Sequence, residues 1–195
     1  MSITTGIVLF EEAEELDWAG PLEVFSMAKT DGDAVVTIAE VAGPIRSANG
    51  LRVLADCNFT DAPPLDVLVV PGGWGTRRES ENPAMLDFVR RAAPGCTWVT
   101  SVCTGALVLA AAGLLAGKRA TTHWAVLDEL RAVDGVEVLD HVRYVRDGNV
   151  VSAAGVSAGI DMALWVVGQL YGVEHARVAQ YAMEYDPAPP YAAIT

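Results

Sequence analysis

The sequence predicts an α/β fold, in which a parallel β-sheet carries helices on both faces. Residues 6–10 and 67–70 are apolar throughout, which is typical of strands buried on both sides. Strand-like and helix-like segments alternate along most of the chain, which favours strand–helix–strand units. At Cys103 a β-prone run turns directly into an alanine-rich helix former. This junction predicts a nucleophile elbow, which lifts one side chain above the carboxyl edge of the sheet.

The remaining elements follow from local patterns. Strands are predicted at residues 34–39, 97–100, 136–139, 142–145 and 150–153, and a hairpin joins residues 44–48 to 52–55 around Asn49-Gly50. Helices are predicted at residues 21–28, 83–93, 106–112, 124–133, 157–171 and 173–183, and the first two begin at prolines, which the first turn tolerates. Gly113 and Gly117 end the third helix, and residues 186–191 form an extended tail on the surface or on a partner subunit.

Composition restricts the classes of function. The 195 residues suit one domain, 1–195, with a sizeable core. The 25 acidic residues outnumber 13 Lys and Arg, and the net charge of −12 argues against nucleic acids and anionic membranes as partners. The most apolar stretch, residues 106–116, is too short to span a bilayer, and residues 1–5 lack the basic start of a signal peptide.

The number and spacing of the cysteines indicate a reducing compartment and argue against a metal centre. Cys57, Cys96 and Cys103 are odd in number and lack metal-ligand spacing, so we expect reduced thiols in the cytoplasm and no metal site. Cys103 is the candidate nucleophile, because amides at the start of the following helix would lower its thiol pKa. The alternative is a buried cysteine that acts only as a small apolar side chain.

Four residues could accompany Cys103. Asp17, in a loop after the first strand, either caps the next helix or places a carboxyl group beside the thiol. Gly72 and Gly73 form either an ordinary tight turn or a pair of amides directed at the reacting centre, as in an oxyanion hole. Thr104 either opens the helix or offers its hydroxyl and amide to the site.

Six separated motifs together resemble the DJ-1/PfpI superfamily, and within it the isonitrile hydratases. They are residues 6–10, Leu16-Asp17-Trp18-Ala19-Gly20-Pro21, Pro71-Gly72-Gly73, Thr100-Ser101-Val102-Cys103-Thr104-Gly105, Ala120-Thr121-Thr122-His123-Trp124 and Ala158-Gly159-Ile160-Asp161. The resemblance implies a flavodoxin-like, class I glutamine amidotransferase-like sheet. It also implies a homodimer whose second subunit lies close to Asp17 and the elbow.

The same resemblance implies a reaction that needs neither a metal nor an organic cofactor, and it implies which residues carry the reaction out. Cys103 would attack an isonitrile, Asp17 would act as general acid and base, and Gly72, Gly73 and Thr104 would hold substrate or water. His123 would support the residues around the reacting groups without acting as a general base. Thr104 stands where the PfpI proteases carry histidine, which disfavours proteolysis.

Two other classes of function stay open. One is a DJ-1-like glyoxalase, deglycase or redox sensor, although such proteins typically carry glutamate at the position of Asp17. The other is a ligand-sensing domain without catalysis, similar to the amidase-like domain of some transcription regulators. Among the remaining aromatic residues, Trp18, Trp74 and Trp124 either wall an apolar pocket or pack in the core, and His141 and His175 are expected to be exposed.

Overall fold

The computed structural model describes residues 2–191, and Met1 and residues 192–195 lie outside the described part. The strands in chain order are β1 (Thr4–Val8), β2 (Ala34–Ala39), β3 (Pro44–Arg46), β4 (Arg52–Leu54), β5 (Cys57–Asn58), β6 (Val67–Val70), β7 (Trp98–Val102), β8 (Lys118–Ala120), β9 (Val136–Val138), β10 (Tyr144–Asp147) and β11 (Val150–Ala153). Seven of them form the central sheet in the order β10-β11-β7-β6-β1-β2-β5. Every pairing in this sheet is parallel except that of β10 with β11.

The helices cover the sheet in two groups. They are α1 (Glu15–Ala28), α2 (Thr76–Glu79), α3 (Pro83–Ala92), α4 (Gly105–Ala111), α5 (Leu127–Arg131), α6 (Ala158–Tyr171) and α7 (Val173–Ala182). Helices α1, α6 and α7 pack on one another, whereas α4 packs against α2, α3 and α5. The chain crosses from β1 to β2 towards one edge of the sheet, and it crosses from β6 to β7 towards the other edge. Right-handed crossovers therefore place the two groups on opposite faces, as the sequence predicts.

Helix α1 begins six residues before its predicted start. It already runs through Glu15, and Pro21 lies in its interior. Its buried face includes Trp18, Val24 and Phe25, so packing against the core outweighs the local cost of the proline. The prediction that Asp17 lies in a loop is therefore wrong, because Asp17 belongs to the first turn of α1.

Other differences concern short elements. The predicted helix at 124–133 is a 3₁₀ turn, Trp124–Val126, followed by α5, and the predicted strand at 97–100 is the longer β7. The sequence missed β5, β8 and α2, which have two to four residues each and too few positions to show a period. None of the helices in residues 2–191 is long and apolar enough to cross a membrane.

The parallel strands bring the candidate residues to one edge of the sheet. Strands β6 and β7 are adjacent, and they end at Val70 and Val102. The loops that follow them carry Gly72 and Cys103, and the loop after β1 leads into α1 next to both. The topology alone therefore places the carboxyl ends of β1, β6 and β7 around Cys103.

Candidate active site

Cys103 occupies a strained turn between β7 and α4. Its φ of 55° lies in the left-handed region, which side chains larger than glycine rarely adopt. Two hydrogen bonds hold the turn: the Cys103 amide donates to the Ala153 carbonyl at 3.0 Å, and the Thr122 hydroxyl donates to the Cys103 carbonyl at 2.7 Å. The residue is 8% exposed, so the elbow presents a sulfur at the base of a cavity rather than on open surface.

Asp17 is fully buried beside this elbow. One carboxyl oxygen accepts the Gly72 amide at 2.9 Å, and the other accepts the Val156 amide at 2.9 Å. The interpretation of Asp17 as a helix cap is wrong, because its oxygens bind amides from two distant loops and none from α1. These two amides provide hydrogen bonds to a carboxyl group that has no exposed surface in this structure.

The Cys103 thiol and the Asp17 carboxyl affect each other's ionisation. Burial raises the pKa of Asp17 from 3.8 to about 7, although the two amides act in the opposite direction. Burial, and next the negative charge of Asp17, raise the pKa of Cys103 to about 12. The prediction of a depressed thiol pKa is therefore wrong, since the Thr104 amide and hydroxyl only partly offset burial. Above neutral pH the pair carries one negative charge, which the amides favour on Asp17.

Gly72, Gly73 and Thr104 pack against this pair. A methyl group on Gly72 would lie 2.6 Å from the Thr104 nitrogen and 2.7 Å from the Cys103 Cβ, so only glycine fits. The Gly73 amide donates to the Thr104 hydroxyl at 2.9 Å, and that hydroxyl lies 3.1 Å from the Gly73 carbonyl. Both glycine amides thus bind protein groups, Asp17 and Thr104, which differs from the expected pair of open oxyanion donors.

A cavity of about 350 Å³ opens above the sulfur. Its lining residues are Glu14, Gly73, Trp74, Arg77, Cys103, Thr104, His123, Ala125, Val126 and Val156. Trp74 is 72% exposed, and the Arg77 guanidinium lies 5.8 Å from its ring centre while pairing with Glu129 at 3.1 Å. The cavity therefore combines an apolar wall with charged groups of both signs at its mouth. Trp18 is a core residue, and Trp124 is exposed outside this cavity.

The histidines divide by environment. His123 lines the cavity, and its Nδ1 accepts the Ala125 amide at 3.3 Å, while burial lowers its pKa. Its hydrogen bond within the described residues therefore goes to its own turn rather than to Cys103 or Asp17. His141 is exposed as expected. The expectation for His175 is wrong, because it is half-buried and its Nε2 lies 2.6 Å from the Ala28 carbonyl.

Two contributors escaped the sequence analysis. Val156 supplies an amide to Asp17, and Thr122 fixes the carbonyl of the elbow. Thr122 lies within one motif of the family resemblance, and Val156 lies two residues before another. The donor from Val156 is a backbone amide, which leaves no signature in the side-chain pattern. Across residues 2–191, no group of three or more His, Cys, Asp or Glu side chains is arranged to hold a metal ion.

The raised pKa of Asp17 predicts a stability that depends on pH. Between about pH 4 and pH 7 the folded protein holds a proton on Asp17 that the unfolded chain releases, so stability falls as pH rises through this window. The difference between a pKa of 3.8 and one of about 7 corresponds to about 4 kcal/mol of unfolding free energy at most. We expect the free energy of unfolding, measured with denaturant, to fall with pH in this window for wild type but not for Asp17→Asn. The exposed Asp128→Asn is the control, and parallel curves for wild type and Asp17→Asn would contradict the assignment.

Comparisons with known proteins agree with this architecture. The chain is 44% identical over 191 residues to an isonitrile hydratase of Pseudomonas putida, and the matched region covers 98% of this chain and 82% of that protein. It is 30% identical over 176 residues to the Parkinson disease protein 7 homolog of Danio rerio, covering 87% and 90% of the two chains. A ThiJ/PfpI family protein from Pseudomonas syringae superposes with a TM-score of 0.93 at 33% identity, over all of this chain and 80% of the other. The DJ-1/PfpI family model matches residues 5–169, and the chain belongs to the DJ-1/PfpI family.

Proposed function

We propose that this protein hydrates isonitriles to N-substituted formamides, with Cys103 as nucleophile and Asp17 as general acid and base. The observation that carries the proposal is the buried thiol–carboxyl pair at the base of a largely apolar cavity. The identity of 44% to an isonitrile hydratase supports the choice of substrate. An isonitrile has a terminal carbon that first accepts a nucleophile and then a proton, which matches a thiol beside a carboxylate.

The first half of the reaction forms a covalent thioimidate. Above pH 7 the Asp17 carboxylate accepts the Cys103 thiol proton as the sulfur attacks the terminal carbon of the isonitrile. Asp17 then delivers this proton to the same carbon, which leaves an S–CH=N–R group on Cys103. The carboxylate charge is restored, so no net charge is created in the buried site.

The second half releases the product. The Asp17 carboxylate removes a proton from water as the water oxygen adds to the thioimidate carbon, and it returns the proton to the nitrogen. Collapse of the tetrahedral adduct breaks the C–S bond, gives R–NH–CHO, and returns the hydroxyl proton through Asp17 to the thiol. The sum is one isonitrile and one water converted to one formamide, with the enzyme unchanged.

The residues around the pair have distinct proposed roles. Gly72 holds the Asp17 carboxyl through its amide, and Gly73 orients the Thr104 hydroxyl. Thr104 has one hydroxyl proton, which can turn from the Gly73 carbonyl to the sulfur as negative charge develops there. His123 forms part of the cavity wall, and its hydrogen bond with the Ala125 amide keeps its ring in place there.

Three further features belong to the proposal. Residues 1–195 form one domain, the protein works in the cytoplasm, and it assembles as a homodimer with the region around Asp17 near the interface. Exposed apolar side chains on α1 and the β3–β4 hairpin support the dimer; they are Leu16, Met27, Leu51 and Leu54.

Removal of the nucleophile tests the chemistry. We expect Cys103→Ala to lose hydration of p-nitrophenyl isocyanide, because Cys103 supplies the one thiol among the described residues that line the cavity. Cys57→Ala and Cys96→Ala are the matched controls and keep wild-type rates, because both thiols lie away from the cavity. Formamide production is followed by chromatography, and methylglyoxal is assayed in parallel. Wild-type turnover by Cys103→Ala would contradict the mechanism, and turnover of methylglyoxal alone would favour the glyoxalase alternative.

Changes at Asp17 test the acid–base role. Asp17→Asn cannot carry the proton, and we expect kcat/KM to fall by about 10²–10⁴-fold. Asp17→Glu should lose about 10²-fold, because one added methylene displaces a carboxyl whose two oxygens are fixed by different loops. For wild type, kcat/KM should rise with pH through about 7, as Asp17 ionises. Undiminished activity of Asp17→Glu would contradict this role.

The proposed dimer has a direct measurement. Light scattering on micromolar protein should give twice the chain mass, because the exposed leucines of α1 and the hairpin are covered by the second copy. Leu54→Arg, at a position 67% exposed, should weaken association without changing the fold. A monomer mass for the wild-type protein would contradict the proposal.

A further inference from the structure

Val156 stands in a conformation that its own side chain disfavours. Its φ of 47° is left-handed, and a β-branched residue is rarely found there. Yet this conformation directs the Val156 amide to Asp17 Oδ1 at 2.9 Å. Such a residue persists only where its surroundings fix it, so contacts around the turn from β11 to α6 must hold Val156 in place.

Arg143 binds this turn on both sides of Val156. Before it, the Arg143 carbonyl accepts the Ala154 amide at 2.8 Å. After it, the guanidinium donates through Nη2 to the Ser157 hydroxyl at 3.2 Å and through Nε to Asp161 Oδ2 at 2.6 Å. The side chain and the carbonyl of Arg143 therefore bind the residues on either side of the strained Val156.

Asp161 connects this bracket to the C-terminal segment. Its second oxygen, Oδ1, accepts the Tyr185 hydroxyl at 2.7 Å, and the Tyr185 carbonyl accepts the Gln180 side chain at 3.0 Å. The Arg143 side chain is 52% exposed and that of Asp161 is 26% exposed, so solvent partly screens their charges. Two directional hydrogen bonds, from Arg143 and from Tyr185, still fix the Asp161 carboxyl group. We call Arg143, Asp161 and Tyr185 the Asp161 clamp.

We propose that the Asp161 clamp is a positioning device, which keeps the Val156 amide on the carboxyl group of Asp17. None of its three residues lines the cavity above Cys103, so the clamp acts through Val156 and does not touch substrate. The inference rests on the proposed function only where it treats Asp17 as the acid and base of the reaction.

The clamp has a consequence for ionisation in the site. The groups facing Asp17 are the Cys103 thiol, the Glu14 carboxylate and the amides of Gly72 and Val156. The Glu14 carboxylate opposes ionisation of Asp17, whereas the hydrogen bond from the Cys103 thiol and those from the two amides favour it. A looser turn weakens one of the amide bonds, so Asp17 should then ionise at higher pH.

Two variants can remove single contacts of Asp161. Its titratable neighbours are Arg143, Tyr185 and Tyr144. Asp161→Asn keeps the shape but removes the charge and one acceptor, and Tyr185→Phe removes one hydroxyl. Glu174→Gln is the matched control, because Glu174 pairs with Arg177 on exposed α7 and has no bond to the turn.

The test measures how fast iodoacetamide alkylates Cys103 as pH rises, by peptide mass spectrometry on the folded protein. The first rise in rate should follow ionisation of the Cys103–Asp17 pair. We expect its midpoint to move upward by about 0.5 unit or more in Asp161→Asn, by less in Tyr185→Phe, and not at all in Glu174→Gln. If Asp161→Asn does not fold, the shift in Tyr185→Phe decides.

Isonitrile turnover separates this inference from the proposed function. The acid limb of the kcat/KM profile should move in the same direction as the alkylation midpoint, and kcat/KM at pH 7 should be about twofold lower or more for Asp161→Asn. An unchanged alkylation midpoint in both clamp variants, with or without a lower melting temperature, would overturn the clamp. A shifted midpoint without isonitrile turnover by any variant or by wild type would support the clamp and refute the hydratase proposal.

Discussion

The constraint on which the site depends is the burial of a carboxyl group beside a thiol. Asp17 has no contact with solvent, and amides from the β6–α2 and β11–α6 loops satisfy its two oxygens. This arrangement requires glycine at position 72, a left-handed Val156 and a start of α1 that packs against the sheet edge. The strain at the elbow and at Val156 is thus concentrated around one buried group, as is common at functional sites.

This burial also sets how the pair can react. A thiol at the start of a helix is often ionised at neutral pH, but α4 begins only at Gly105 and the nearest negative charge is Asp17. Burial, and next the charge of Asp17, therefore raise the pKa of Cys103, and the pair favours a carboxylate with a thiol. A nucleophile that loses its proton to its neighbour during attack suits a reaction in which the attacked carbon must then receive that proton. One proton is therefore transferred twice: from the thiol to Asp17, which activates the sulfur, and from Asp17 to the carbon of the substrate.

The sequence predicts most of the fold and only part of the site. Apolar runs such as Val67–Val70 and the elbow at Cys103 have strong local signals, so the parallel sheet and the position of Cys103 follow from them. Asp17 became a candidate through its place after the first strand and through the resemblance, while its place within a helix depends on packing that overrides Pro21. The Val156 amide could not be predicted, because it lies 139 residues from Asp17 and donates through the backbone. The glycines at 72 and 73 were expected for a close approach of backbone, but which groups their amides bind is decided by tertiary geometry.

The central claim is that Asp17 ionises near neutral pH because it is buried against Cys103. Carbon-13 NMR of protein labelled at the aspartate carboxyl carbons tests it directly by titration from pH 4 to pH 9. The account predicts one carboxyl resonance that titrates near pH 7 and is missing from the spectrum of Asp17→Asn. It would be contradicted if every aspartate resonance finished its titration below about pH 5, as ordinary exposed carboxyl groups do.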